Sequence, residues 1–110
     1  MRVLHVLHSM AFGGAEVLVH DFLRATRADT WQSVACLDAI GPLGEALRAD
    51  GVRVDALNRR AGLDPRMALG LRALIQAVRP DVVCAHQYTP WSYAAMAVAT
   101  CRPRPALAFI

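Results

Sequence analysis

Two short stretches of this sequence hold residue types able to do chemistry. The first is Gly13-Gly14, which follows an apolar segment and leads into an amphipathic one. Adjacent glycines let the backbone turn tightly and approach a ligand closely. Free amides at the start of a helix attract anions such as phosphate; the plainer alternative is an ordinary tight turn. The pair is not GxGxxG, which disfavours nicotinamide dinucleotide binding, and a chain without lysine has no GxxxxGK[ST] phosphate loop. Glu16 falls in the first turn of the expected helix, where a carboxylate favours the helix dipole. Its sharper role would be to accept a hydrogen bond from a ligand hydroxyl or to orient the loop. The second stretch is His86-Gln87-Tyr88-Thr89-Pro90-Trp91. An amide, hydroxyls and aromatic faces suit a carbohydrate, whose rings offer hydroxyl edges and apolar C–H faces. Tyr88 and Trp91 could equally pack beneath the loop as large apolar residues. His86 would hydrogen-bond a sugar or a phosphate. His8 ends the first apolar segment and can reach the same place, whereas His5, mid-segment, reads as a satisfied interior residue. His20 receives no function, and Asp38 reads as a capping or loop residue.

The rest of the composition narrows the classes. The chain has 110 residues, 55% of them hydrophobic, enough for one domain with a real core. Its positive side chains are all arginine and its formal charge is +3. The arginines are scattered over the chain, which fits solvated helix faces better than a nucleic-acid footprint. Cys36, Cys84 and Cys101 are too widely spaced for a metal motif, and Cys36 and Cys84, inside expected buried strands, read as small hydrophobes. No apolar run approaches the roughly 20 residues that span a bilayer. The histidine-interrupted N-terminus reads as a strand rather than a signal peptide, so the cytoplasm is the expected compartment.

The elements that would carry these residues alternate. Strands are expected at 3–7, 32–37, 52–57, 81–85 and 106–110. Helices are expected at 15–26, at 43–49 closed by Gly51, from Pro65 to about Arg79 with Met67, Leu71, Leu74, Ile75 and Val78 buried, and at 93–100 capped by Ser92. The alternation of Val52, Val54 and Ala56 with Arg53 and Asp55 points to an edge strand. Such repeated units predict an α/β, Rossmann-like parallel sheet with helices on both faces and strand order 3-2-1-4-5. The winding reverses between the first and fourth strands, and ligands of such sheets bind at the C-terminal strand ends there. Loops 9–14 and 86–91 should therefore share one crevice. A receiver-type signalling domain would need an acidic cluster after strand one, where His8-Ser9 stands instead.

The segment from His5 to Glu16, ending in Gly13-Gly14-Ala15-Glu16, closely resembles the opening of the family 4 glycosyltransferases. Arg79-Pro80-Asp81-Val82-Val83-Cys84-Ala85-His86 is similar to that family's later RPDVVHxH strand, and Gln87 to Tyr93 followed by alanines is similar to its continuation. The resemblance implies a GT-B enzyme of two Rossmann-like domains, of which residues 1–110 would be part of the N-terminal, acceptor-side one. It implies retaining transfer of a sugar from a nucleotide-sugar donor to a glycan or lipid-linked acceptor, with no cofactor and no metal. The amides of Gly13 and Gly14 would contact the donor phosphates, and His86 would line the cleft. His8, Glu16, Gln87, Tyr88 and Trp91 would complete the acceptor and sugar site. Peripheral membrane association of the complete protein is a further expectation; nucleic acid is not an expected partner.

The chain departs from the family pattern in three places. Cys84 occupies the first position of the His-x-His pair. The family's histidine just after the fifth strand would fall beyond Ile110. The donor domain, with its paired glutamates, is absent from these residues. The isolated chain is therefore expected to be catalytically inert and to self-associate through the apolar 106–110 edge. The other reading is a non-catalytic sugar- or phosphate-binding module, or an interaction subunit completed by another chain.

Overall fold

The computed structural model of the chain describes residues 2–7, 21, 23, 31–38, 40–58, 66–86 and 88–109. Its elements are β1 (Arg2–Leu7), β2 (Trp31–Cys36), α1 (Gly41–Ala49), β3 (Arg53–Ala56), α2 (Arg66–Val78), β4 (Val82–Ala85), α3 (Tyr88–Thr100) and β5 (Ala106–Phe109). The five strands form one parallel sheet in the order β3-β2-β1-β4-β5. The expected helix at 15–26 lies outside the described residues, except for Asp21 and Leu23, whose backbone is helical.

Each face of the sheet has its own core. Side chains alternate along a strand, so Leu4, Val6, Ala35, Val83 and Ala85 share one face. They pack with Met67, Leu71, Ile75 and Val78 of α2 and Tyr93, Ala94, Ala97 and Val98 of α3. Leu7, Val34, Cys36 and Val54 share the other face and pack with Leu23 and with Leu47 of α1. Helices therefore cover both faces, which is why β1 and β2 are buried almost throughout. β3 lies at an edge, as its alternation predicts, and Arg53 there pairs with Asp55 at 2.9 Å.

Helix ends follow from local chemistry. α1 closes in a Schellman motif: Val52 N–H donates to the Leu47 carbonyl and Gly51 N–H to that of Arg48, with Gly51 at φ +91°, where a side chain would be strained. α2 ends at Val78, before Arg79 at φ +55° and Pro80. The Arg2 guanidinium donates to the Val78 carbonyl through Nε (3.0 Å) and Nη2 (2.7 Å), a cation on the negative end of the helix dipole. The same group lies 3.9 Å from the centre of the Trp31 ring, and the Arg2 N–H donates to the Asp81 carboxylate at 2.8 Å. These contacts bind the start of β1 to β2, α2 and the start of β4.

One boundary differs from the expectation in a way that affects the site. α3 begins at Tyr88, not at Tyr93 after a Ser92 cap, so residues 88–91 of the expected loop are helical. The physical reason is Pro90, the third helical residue. Amides of the first turn have no intrahelical acceptor, so proline is tolerated there and does not mark a break.

Candidate functional site

His86 is the first residue beyond β4. Its N–H donates to the Val6 carbonyl at 3.0 Å, which carries the β1–β4 ladder one step further and fixes the residue by the sheet itself. Because the order of winding reverses between β1 and β4, His86 stands at the C-terminal rim of the switch point.

Behind it lies a row of buried polar side chains. In register, His5 of β1 sits between Val34 of β2 and Cys84 of β4. Gln32 lies two residues before Val34 and His86 two after Cys84, so all three point to one face. The row runs diagonally from β2 across β1 to the rim beyond β4. His5 Nε2 is 2.8 Å from Gln32 Oε1, and His5 Nδ1 is 3.1 Å from His86 Nε2. The two imidazole centres are 5.3 Å apart with 27° between their planes. That separation exceeds the nitrogen–nitrogen distance by about two ring radii, so the rings meet edge to edge, as an N–H···N bond requires, and not face to face. Gln32, His5 and His86 are only 7%, 3% and 7% exposed.

Burial governs the charge of the pair. It lowers the His86 pKa from 6.5 to about 4, with repulsion from His5 adding to the effect. It also lowers that of His5, against a smaller opposing contribution from the bond to Gln32. Both rings are neutral at neutral pH, and such a site can exchange hydrogen bonds without carrying charge. Cys84 beside them has its thiol pushed up by burial, which removes it as a thiolate nucleophile. The three cysteines form no disulfide.

The other expected site residues fall into two groups. His8, Gly13, Gly14, Glu16 and Gln87 lie outside the described residues. Tyr88 and Trp91 are in the first turn of α3, directly after His86 and Gln87. Trp91 is half-buried and packs against the core shared by α2 and α3, which is the packing role open to it. His5 is interior and satisfied, as its mid-strand position implied. Gln32 was missed by sequence reasoning. The available signal was a long amide side chain in a strand whose other inward residues, Ser33 apart, are apolar, since buried polar groups need partners. Among the described residues no three histidine, cysteine or acidic side chains converge as metal ligands, and no helix is long and apolar enough to cross a membrane. A cleft of about 470 Å³ lies at the opposite pole, between Gln76, Arg79, Asp81 and Arg102. It is at the N-terminal ends of the strands, away from the switch point.

Comparison with known proteins adds sequence and fold. A family model described as Glycosyltransferase Family 4 matches residues 12–109. No curated protein matches the chain in sequence. Among solved structures, the UDP-GlcNAc 2-epimerase from Neisseria meningitidis, bound to UDP-GlcNAc, superposes with a TM-score of 0.62 at 15% identity, over 100% of this chain and 31% of that one. A Listeria monocytogenes protein assigned as a UDP-N-acetylglucosamine 2-epimerase gives 0.61 at 17% identity, over 99% of this chain and 30% of that one. The chain thus spans about a third of the length of either neighbour. At these identities the likeness is one of fold.

Proposed function

The chain belongs to glycosyltransferase family 4, and from that membership we propose that it forms the acceptor-side part of a two-domain GT-B enzyme. The enzyme transfers a sugar, with retention at the anomeric centre, from a nucleotide-sugar donor to a glycan or lipid-linked acceptor. It is of the hexosyltransferase type and works in the cytoplasm, with peripheral attachment to the membrane that carries a lipid-linked acceptor. The observation that carries this reading is the buried imidazole of His86 at the C-terminal rim of the sheet, where the winding reverses. Fixed polar groups at that place suit a neutral polyhydroxylated ligand. The Neisseria neighbour, bound to UDP-GlcNAc in the same fold, supports a nucleotide sugar as the donor class.

In this scheme His86 lines the cleft. His8, Glu16, Gln87, Tyr88 and Trp91 complete the acceptor and sugar site in this reading. The amides of Gly13 and Gly14 hold the donor phosphates. The diphosphate that leaves must be offset by groups of the second domain, so this chain binds and orients while the complete enzyme turns over. The test is an NMR titration with UDP- and GDP-sugars, following the amides of Gly13, Gly14 and His86. Saturable shifts confined to those loops are expected. No shift at millimolar ligand would overturn the donor assignment.

A further inference from the structure

The row Gln32–His5–His86 fixes direction as well as position. An amide oxygen only accepts, so at 2.8 Å His5 Nε2 carries the hydrogen and donates to Gln32 Oε1. A neutral imidazole has a single N–H, which leaves His5 Nδ1 as a lone pair. The 3.1 Å contact then requires the hydrogen to sit on His86 Nε2. His86 in turn is left with a lone pair on Nδ1. Among the described residues that nitrogen has no partner, although the side chain is more than nine-tenths buried. A buried polar atom without a partner is destabilising, and a ligand that satisfies it removes that penalty.

We infer that Gln32 and His5 are positioning residues that hold His86 in its Nε2–H tautomer and present the Nδ1 lone pair, at the rim of the sheet, to a hydroxyl or amide hydrogen of the ligand. A lone pair repels a phosphate oxygen, so His86 serves the sugar or acceptor and not the diphosphate. Burial supports this by keeping both rings neutral. Only the identity of the ligand rests on the glycosyltransferase reading; the tautomer lock stands on the row itself. The orienting group is an amide two strands away, so its effect on His86 passes through one proton position in His5. That makes the effect reversible by a single change at Gln32. A carboxylate there would favour the cation of His5, whose Nδ1–H must then be accepted by His86 Nε2. The His86 hydrogen would move to Nδ1, and the ring would face the ligand as a donor.

The experiment is long-range 1H–15N correlation of the histidine rings in 15N-labelled protein at neutral pH, for the wild type, Gln32→Leu and Gln32→Glu. The wild type is expected to show His86 as a single Nε2–H form. Gln32→Leu should give a mixture of tautomers, and Gln32→Glu should move His86 to Nδ1–H. An Nδ1–H form in the wild type, or an unchanged His86 in both variants, overturns the inference. If Gln32→Leu does not fold, the wild type and Gln32→Glu still decide. With UDP-GlcNAc as the probe, the His86 Nδ1 signal should move upfield as it accepts a hydrogen bond. Saturable binding that leaves that signal in place overturns the acceptor role. No binding at all counts against the nucleotide-sugar reading, while the tautomer spectra still decide this one.

Discussion

Acidification should destabilise the fold through His86 by about 3 kcal/mol between pH 6.5 and pH 4. In the unfolded chain the ring titrates near 6.5, whereas in the fold burial and the neighbouring His5 bring it to about 4. Above 6.5 both states are neutral and the stability is whole. As the pH falls below 6.5 the unfolded state takes the proton first, so stability is lost at about 1.4 kcal/mol per pH unit. The loss ends near pH 4, where the folded ring protonates too. Only 7% of the residue is exposed. His5, shifted in the same direction, adds to the effect. Against a total stability of roughly 5–15 kcal/mol for a domain, this is a large share. The assay is urea denaturation at half-unit steps of pH, for the wild type and for His86→Gln, whose amide can still donate to His5 but does not titrate. The wild-type curve should fall more steeply than that of the variant between pH 6.5 and 4. Parallel curves, or a wild type more stable at pH 5 than at pH 7, would refute the reasoning.

Two further outcomes test other parts of the structure. Arg2→Ala removes both hydrogen bonds to the Val78 carbonyl and the stacking on Trp31. It should cost about 1–2 kcal/mol in urea melts and change the Trp31 emission, and Arg2→Lys should recover less than half, since an ammonium lacks the planar fork; equal stability of wild type and Arg2→Ala would refute this. The sheet order leaves β5 at an edge with Ala106 exposed, and unprotected edges pair with other chains. We therefore expect the sedimentation coefficient to rise with concentration in the wild type but not in Ala106→Lys; a monomer at every concentration would sink the proposal.

Part of the fold could be read directly along the chain. The apolar runs of β1 and β4 and the stripe from Met67 to Val78 locate strands and a helix, because periodicity records which faces are buried. Gly51 marked the end of α1 because a Schellman motif needs a left-handed residue there. Alternation at Arg53–Ala56 placed β3 at an edge. The start of α3 was misplaced because proline is ambiguous: it breaks a helix interior but is accepted in a first turn, and only the fold shows which applies at Pro90.

For the site, the sequence by itself determined the residue types and the place of His86 at the end of a strand. Topology rules then brought His86 to the switch point without any side-chain detail. The tertiary structure alone decided that His5 lies between Gln32 and His86. Residues 5, 32 and 86 meet only because β1 pairs with both β2 and β4 in one particular register. A slip of one residue would turn His5 to the opposite face and break both of its bonds. A linear sequence records how often side chains change face, but not which residue of one strand stands opposite which residue of the next. The direction of the hydrogen bonds in the row, and with it the chemistry His86 offers a ligand, is set by that pairing.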